Sequence, residues 1–388
     1  MADQPARTTR RIDLDWLRII AFGLLIFYHV GMVFVPWPYH VKSENLIPAL
    51  APVMSGLNPW RLALLFVIAG TATRFMVLTM PPGALAFTRS RRLAVPLTFG
   101  VFVIVPPQSY WEVVARHLYS GDFWSFYTGP YLSFARQFCE SSACLVLPTW
   151  NHLWFVAYLW LYTLAAMLVV AWCPILVQRL EKRIAVSRPM LWLATPALLF
   201  VVYRLILWPR FPQTNALLGD WYNHAQYFTM FALGYLIAMV PSVWDAMTRA
   251  RWIAASISVA LFASHIATRW YLPHDAAADV WRLYGGIAFG VYQWSSIVAV
   301  LGFGRRWMTR DTAARRYLTD AIFAYYIVHQ TIIVGTAFAL RTAGLPAPAE
   351  AAIIIAATMV GCAASYEFVV RTGFLRPLFG LKRQQLPG

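Results

Sequence analysis

Residues 11–31 read RIDLDWLRIIAFGLLIFYHVG, an apolar segment long enough for a helix to cross a bilayer. The segment carries Asp15, Arg18 and His29. At about 100° per residue, Arg18 and His29 lie within about 20° of each other around the helix, and Asp15 lies about 40° from His29. Along the axis, His29 is about 16 Å from Arg18. Ionisable side chains inside a membrane usually face a protein interior or a wet cavity, so this shared face is a candidate functional site.

A purely structural interpretation of the same face is also open. Arg18 would then be a basic anchor at the helix end, and His29 would be hydrogen-bonded inside a helix bundle.

The composition is that of a polytopic membrane protein. Of the 388 residues 60% are hydrophobic and 12% are charged, and the mean hydropathy is +0.57. Soluble proteins of this length are less apolar. The 18 tryptophans suit long interfacial belts. No small-residue cleavage site follows the first apolar run, so we expect that run to remain as a span.

The net charge of +16 reflects membrane topology. Most of the 32 Lys and Arg residues fall in alternate loops, and this asymmetry predicts that both termini lie in the cytoplasm. The basic loops are expected to contact anionic lipids, and no nucleic-acid partner is expected.

The hydropathy pattern predicts an all-α fold, with residues 1–388 forming a single bundle of about ten transmembrane helices. The tails 1–13 and 371–388 are expected to be cytoplasmic. No internal repeat is evident, which disfavours a transporter built from inverted repeats. The expected spans are 14–35, 60–78, 93–110, 151–173, 190–208, 221–240, 252–270, 281–303, 318–340 and 350–370.

The aromatic-rich segment 111–150 is predicted to be interfacial or re-entrant on the outer side. Its aromatic residues fit the rim of a substrate site, and they fit membrane anchors equally well. Cys139 and Cys144 lie in this segment, and their spacing leaves a disulfide open. The small residues after FVI at 66–68, beginning with Ala69 and Gly70, suit a close contact between helices.

Common catalytic motifs are missing from the sequence. There is no Walker loop, Rossmann glycine pattern, CxxC or HExxH spacing, or GxSxG elbow, so no metal is expected. What remains is a set of polar side chains in or beside the expected spans. These are Asp15, Arg18, His29, Arg74, His152, Arg204, His329 and Glu367.

Histidine and arginine give this set its chemistry. An imidazole titrates near neutrality and can take a proton from a hydroxyl, which makes His29 and His329 candidate bases. Both lie beyond the membrane midplane as seen from the inside, so a donor entering from there must be long and thin. The loop Arg89-Ser90-Arg91-Arg92 is a cation cluster at the inner surface that suits phosphate, although a positive-inside anchor would look the same.

Five motifs in order resemble the membrane-bound acyltransferase family 3. Arg18, ten residues and His29 resemble its first-span motif. The others are FVIAG (66–70) followed by RSRRLAVP (89–96), HLWFVAYL (152–159), AYYIVHQTII (324–333) and SYEFVVRTGFLRPLFG (365–380). The last resembles the glucans biosynthesis protein C branch, and Arg91 departs from that branch, which often has an acidic residue there.

The resemblance implies acyl transfer across a bacterial inner membrane. The acyl group, succinyl or acetyl, would pass from cytoplasmic succinyl-CoA or acetyl-CoA to a hydroxyl of an extracytoplasmic glycan, such as a periplasmic glucan. Sequence alone does not choose between direct transfer and an acyl-histidine, and a homo-oligomer is possible. The implied donor-phosphate ligands are Arg89, Arg91, Arg92 and Arg18.

The remaining roles are hypotheses of the same kind. His29 is the expected general base, with Asp15 orienting Arg18, and His329 and His152 lining the acceptor side or stabilising the oxyanion. Candidate substrate-binding residues are Arg74, Arg204, Trp154 and Glu367.

Two other classes of function compete with this interpretation. A transporter or flippase for an anionic or lipid-linked solute would use the same intramembrane charges as a pathway. A non-catalytic sensor or assembly protein is the third class, and no motif in the sequence favours it.

Overall fold

The computed structural model describes residues 10–140, 143–271 and 278–381 and is almost wholly helical. Parts of the two tails, including Arg7, Lys382 and Arg383, lie outside the described residues. The helices are α1 (Ile12–Phe34), α2 (Ala51–Val77), α3 (Pro82–Phe99), α4 (Pro106–Ala115), α5 (Phe123–Thr128), α6 (Trp154–Trp172), α7 (Pro174–Val186), α8 (Leu191–Ile206), α9 (Trp221–Ile237), α10 (Pro241–Tyr271), α11 (Ala278–Trp307), α12 (Ala313–Leu340) and α13 (Ala347–Arg371).

Eight of the described helical segments are long and apolar enough to cross a membrane. The all-α polytopic fold is therefore confirmed, with eight such segments among the described residues beside the expected ten or so. The bent pair α7–α8, with 119° between its helices, raises the count to nine if it forms one broken span. The sixth expected span corresponds to α9, whose 17 residues make it shorter than the roughly 20 residues that usually cross a bilayer.

The expected loop at Arg89–Arg92 is wrong, because these residues lie within α3. Pro82 occupies the start of that helix, where its missing N–H costs no helical hydrogen bond. From there to Val95 the sequence contains no proline, and arginine, leucine and alanine are strong helix formers. The helix continues through a π-helical turn, Gly100–Ile104, directly into α4. The helix that contains the third expected span therefore begins at Pro82, before residue 93.

The described chain forms two compact units, each assembled from three separate stretches. Unit 1 contains the chain up to Ala21, Gly56–Phe87 and Leu161–Thr319. Unit 2 contains Phe22–Ser55, Thr88–Trp160 and the chain from Asp320 onwards. Helices α1, α2, α3, α6 and α12 each contribute residues to both units.

In unit 1, glycines let α2 and α9 approach backbone to backbone. A Cβ on Gly70 would lie 1.9 Å from the carbonyl oxygen of Phe231, and one on Gly234 would lie 2.0 Å from that of Val67. The Thr71 hydroxyl donates to the Gly234 carbonyl at 3.0 Å. The close helix contact expected from the small residues after FVI is therefore confirmed.

In unit 2, three helices share one apolar cluster. Ile26, Val30 and Val33 from α1 pack with Ile333 and Val334 of α12, and Ile354 of α13 completes the cluster. This packing fixes α1 beside α12, the two helices that carry His29 and His329.

The segment 111–150 forms a small aromatic subdomain inside unit 2. It contains the end of α4, the short α5 and an antiparallel hairpin of β1 (Ala135–Glu140) and β2 (Ala143–Leu147). Val113, Phe126, Tyr131 and Leu147 form its buried core. Cys139 and Cys144 are joined in a disulfide across the hairpin, which resolves the pairing that their spacing left open.

The α2–α9 contact predicts that Gly70→Ala destabilises the protein. A methyl group at this position forces two backbones apart, and overpacking of this kind costs about 1–3 kcal/mol. The matched control is Gly83→Ala in α3, where a Cβ meets nothing within 4 Å and alanine is the better helix former. Thermal unfolding in detergent measures both, and equal melting temperatures for the two variants would contradict this account.

Candidate functional site

A pair of hydrogen-bonded histidines lies within unit 2. Nδ1 of His29 is 2.8 Å from Nε2 of His329, and the two rings stack with centroids 5.1 Å apart. His329 is fully buried. The sequence singled out both residues as candidate bases, and the fold brings them into direct contact although they are 300 positions apart.

The hydrogen-bond partners assign the proton positions in this pair. Nδ1 of His329 is 2.7 Å from the carbonyl oxygen of Tyr326, and a carbonyl only accepts, so this nitrogen carries a proton. In neutral His329 the other nitrogen, Nε2, is therefore an acceptor, and Nδ1 of His29 donates to it. Neutral His29 then has its lone pair on Nε2, the arrangement that a general base requires.

His152 stands beside this pair with a different proton arrangement. Its ring meets the His329 ring edge to face, with centroids 5.0 Å apart. Nε2 donates to the carbonyl of Ile327 at 3.1 Å, so in the neutral ring Nδ1 is an acceptor. Within the described part of the chain that Nδ1 is buried and has no hydrogen-bond partner. The hydroxyl of Tyr326 donates to the backbone carbonyl of His152 and ties α12 to the start of α6.

A second polar network in unit 2 was missed by the sequence reasoning. Glu112 of α4 accepts from Nδ1 of His40 and binds Arg116 at 2.7 Å. The amide nitrogen of Gln330 donates to Nε2 of His40 at 2.9 Å and to Oε1 of Gln108 at 3.1 Å. Because Gln330 follows His329 in sequence, this network lies immediately beside the histidine pair.

The chain between α1 and α2 carries two members of this region, Tyr39 and His40. The Tyr39 ring stacks on His29 with 6.3 Å between centroids and 22° between planes. The only sequence signal for these residues was polar and aromatic side chains directly after a span, in a proline-rich stretch without periodicity.

Hydrogen bonds hold this connecting segment in place. The ammonium group of Lys42 donates to the carbonyls of Met32 and Val35 at the end of α1. Ser43 donates to Glu350 at 2.5 Å, and Arg116 donates to the carbonyl of Tyr39 at 3.3 Å. Hydrogen bonds at Tyr39 itself and at the residues that follow His40 thus hold both side chains in place.

Helix α3 arranges the arginines predicted to bind phosphate. Arg89 and Arg92 are three residues apart and lie on neighbouring positions of one helix face, whereas Arg91 points about 100° away from Arg92. Nε of Arg92 donates to the carbonyl of Gly380 at 3.0 Å. Arg89 and Arg92, which share one helix face, can therefore bind the same phosphate group, whereas Arg91 lies on a different face.

Four of the candidate residues belong to unit 1 and have ionic, hydrogen-bonding or aromatic partners there. Asp15 binds Arg315 at 2.5 Å and Arg10 at 2.8 Å, and Arg18 donates to the carbonyl of Thr319 at 3.0 Å. The other two are Arg74, which forms a bidentate ion pair with Glu181, and Arg204, which lies over the rings of Trp208, Tyr222 and Phe289.

Two further candidates lie in unit 2. Trp154 begins α6 and packs edge to face on Tyr158, with ring centroids 5.2 Å apart. Glu367 of α13 forms an ion pair with Arg371, with 3.8 Å between the charged atoms.

Comparison with known families decides the broad class of the protein. The acyltransferase 3 family, described as an acyltransferase domain, matches residues 11–367. The chain belongs to the acyltransferase 3 family. Searches of the curated proteins and of the solved structures find no significant match.

Membership of the acyltransferase 3 family supports an acyltransferase activity in general. Among the described residues, no group of three or more His, Cys, Asp or Glu side chains is arranged to hold a metal ion.

Because the ammonium group of Lys42 is partly buried, we expect the stability of the protein to depend on pH. Burial lowers the pKa of Lys42 from 10.5 to about 8. Below about pH 8 the folded protein bears the full cost of burying the charge, and the cost disappears as the pH rises to 10.5, because over this range the unfolded chain binds more protons. The melting temperature of the wild type relative to Lys42→Met should therefore rise over this interval.

The control for this prediction is Lys182→Met, which removes an exposed lysine. The difference in melting temperature between Lys182→Met and the wild type should stay constant over the same pH range. If the melting-temperature difference between the wild type and Lys42→Met were equally constant, burial of the ammonium group would not control stability over this pH range.

Proposed function

We propose that this acyltransferase moves an acyl group from cytoplasmic acyl-CoA to a hydroxyl of an extracytoplasmic glycan in a bacterial inner membrane, with both of its termini in the cytoplasm. The observation that carries the proposal is the chain of hydrogen bonds from the Tyr326 carbonyl through His329 to His29, which leaves a lone pair on Nε2 of His29. Periplasmic glucan is the proposed acceptor and succinyl the favoured acyl group, with acetyl as the second.

In the proposed reaction His29 is the general base. Its Nε2 takes the proton from the acceptor hydroxyl while the hydroxyl oxygen attacks the thioester carbon. The tetrahedral intermediate expels the CoA thiolate, which recovers the proton from His29. The acyl group thus passes directly to the acceptor, and the enzyme returns to its initial protonation state.

His329 is proposed as the residue that positions His29. Its Nε2 accepts the Nδ1 proton of His29 at 2.8 Å, as a carboxylate does in a serine-protease triad. This hydrogen bond selects the tautomer of His29 and stabilises the imidazolium that forms during transfer. His152 is proposed to accept a hydrogen bond from a substrate hydroxyl through Nδ1, since that nitrogen carries no proton in the neutral ring.

The donor is proposed to bind at Arg89 and Arg92. Both belong to the same unit as the histidine pair, and guanidinium groups bind phosphate oxygens bidentately. A pantetheine arm is long, narrow and uncharged, which suits passage between packed helices. Arg91 and Arg18 remain secondary candidates for the phosphates, with Asp15 proposed to orient Arg18. Arg74, Arg204, Trp154 and Glu367 remain candidates for substrate contacts.

His29→Asn tests the role of the base. The asparagine amide still donates a hydrogen bond towards His329, but it accepts no proton. We expect the rate of acyl transfer to fall by about 10²–10⁴-fold, while CoA binding and the melting temperature stay near those of the wild type. Release of CoA thiol from acetyl-CoA and succinyl-CoA, with and without periplasmic glucan, measures the rate in detergent.

The control for His29→Asn is His117→Asn, which makes the same change at an exposed histidine. Full activity in His29→Asn would remove His29 from the chemistry. A wild type that releases no thiol from either donor but moves a labelled solute into proteoliposomes would favour the transporter.

The combined variant Arg89→Gln, Arg92→Gln tests donor binding. Each hydrogen bond to a charged group contributes about 1.5–3 kcal/mol. We therefore expect the KM for acyl-CoA to rise by at least about 10-fold, with little change in the KM for the glycan. The control Arg179→Gln, Arg188→Gln removes the same charge from two exposed arginines of unit 1. Equal effects of the two double variants would favour a membrane-anchoring role for Arg89 and Arg92.

A further inference from the structure

The hydroxyl of Tyr39 is a buried donor beside the proposed base. Its ring stacks on His29 with 6.3 Å between centroids, and within the described part of the chain its oxygen is buried and has no hydrogen-bond partner. Two other buried tyrosine hydroxyls of unit 2 have hydrogen-bond partners. That of Tyr131 donates to the Val101 carbonyl at 2.6 Å, and that of Tyr326 donates to the His152 carbonyl.

An unsatisfied buried hydroxyl destabilises a fold, so its persistence next to a functional group points to a ligand atom that completes it. The surroundings hold Tyr39 firmly where it is. Its backbone carbonyl accepts from Arg116, and the next residue, His40, is fixed between Glu112 and Gln330. The hydroxyl is therefore preorganised, and little reorganisation is needed when a ligand arrives.

We propose that Tyr39 is a further catalytic residue, whose hydroxyl donates a hydrogen bond to the oxyanion formed when the acceptor attacks the thioester carbonyl. This inference rests on the proposed function. As the hydroxyl oxygen bonds to the carbonyl carbon, the C=O π electrons move onto the carbonyl oxygen and the proton goes to Nε2 of His29. The negative oxygen accepts from Tyr39 until the carbon–sulfur bond breaks, when the C=O double bond re-forms and the CoA thiolate takes the proton from His29.

Tyr39 acts in this step as a donor and keeps its own proton. Burial raises the pKa of its hydroxyl, and the negative charge of Glu112 raises it further. The group is therefore protonated at neutral pH and gives the developing oxyanion a neutral hydrogen bond.

The other histidines at this site do not supply such a donor in their neutral forms. The ring N–H of His152 is committed to the Ile327 carbonyl, and that of His329 is committed to the Tyr326 carbonyl. The Nδ1 proton of His29 is committed to His329. Among the side chains stacked around His29, Tyr39 is the one whose donor has no partner in the described part of the chain.

The test compares Tyr39→Phe with Tyr28→Phe. Both substitutions remove one hydroxyl from a ring that contacts His29, since the Tyr28 ring meets it edge to face with centroids 6.1 Å apart. The Tyr28 ring also packs with Val35 and Met54 in an apolar cluster, which is a structural role that phenylalanine preserves. Thiol release from acyl-CoA with glycan acceptor gives kcat and KM, and CoA binding and melting temperature are measured on the same preparations.

For Tyr39→Phe we expect kcat to fall by about 10²-fold or more, the usual loss when one oxyanion donor is removed, with unchanged KM for acyl-CoA, CoA binding and melting temperature. Tyr28→Phe should retain the wild-type kcat. This split supports the proposal, because a merely structural role for Tyr39 would lower stability or donor binding as well.

The contrary outcomes are distinct. An active wild type with an equally active Tyr39→Phe overturns the role of Tyr39 and leaves the proposed function standing. A Tyr39→Phe variant whose lost activity follows a lower melting temperature, or a Tyr28→Phe variant that loses as much kcat, also overturns it. A wild type that releases no thiol from acyl-CoA overturns the proposed function and this inference together.

Discussion

The hydrogen bond from His329 to the carbonyl of Tyr326 sets the direction of both protons in the histidine pair. A carbonyl oxygen has no proton to give, so it fixes one end of the chain, and the two imidazoles can then be ordered in only one way while both are neutral. The carbonyl lies one turn before His329 on the same helix, α12. The tautomer of His29, on a helix hundreds of residues away in sequence, is thus determined by the backbone of α12.

The polar side chains next to the histidine pair form hydrogen bonds with one another. Buried hydrogen-bonding groups that lack partners destabilise a protein, and a membrane interior offers no water to satisfy them. Gln330 uses both amide hydrogens on His40 and Gln108, and Gln108 in turn donates to Thr331 at 2.6 Å. Within the described part of the chain, the buried Tyr39 hydroxyl and Nδ1 of His152 have no hydrogen-bond partner. The Tyr39 ring stacks on His29, and the His152 ring meets His329 edge to face.

The sequence predicted the fold class and the central histidines, because both depend on strong local signals. Long apolar runs identify spans, and an ionisable residue within such a run is rare enough to be singled out. Tyr39, His40 and Glu112 gave no comparable signal. Tyr39 and His40 lie in a stretch without periodicity, and Glu112 lies at the edge of an expected span, where a charged residue is ordinary. Only the tertiary packing of α1, α4 and α12 brings these side chains together.

Two further differences have physical causes that single-residue patterns do not capture. The charge of the Arg89–Arg92 stretch suggested a loop, but charged residues do not end a helix. Between Pro82 and Pro96 every residue can adopt helical geometry, and only glycine disfavours it. Hydropathy also does not reveal a bend, so the expected spans and the helices do not correspond one to one. Helices α7 and α8 meet at 119°, and whether they form one span or none depends on that angle.

A neutral histidine as the partner of His29 has a consequence that a carboxylate partner would not have. A buried carboxylate carries its charge at all times and needs compensation in the resting protein, whereas the pair His29–His329 is uncharged until a proton arrives. In the proposed reaction the imidazolium of His29 and the oxyanion beside Tyr39 form in the same step and are discharged in the same step. Their attraction therefore exists only around the transition state, which is where an interaction must be strongest to raise kcat.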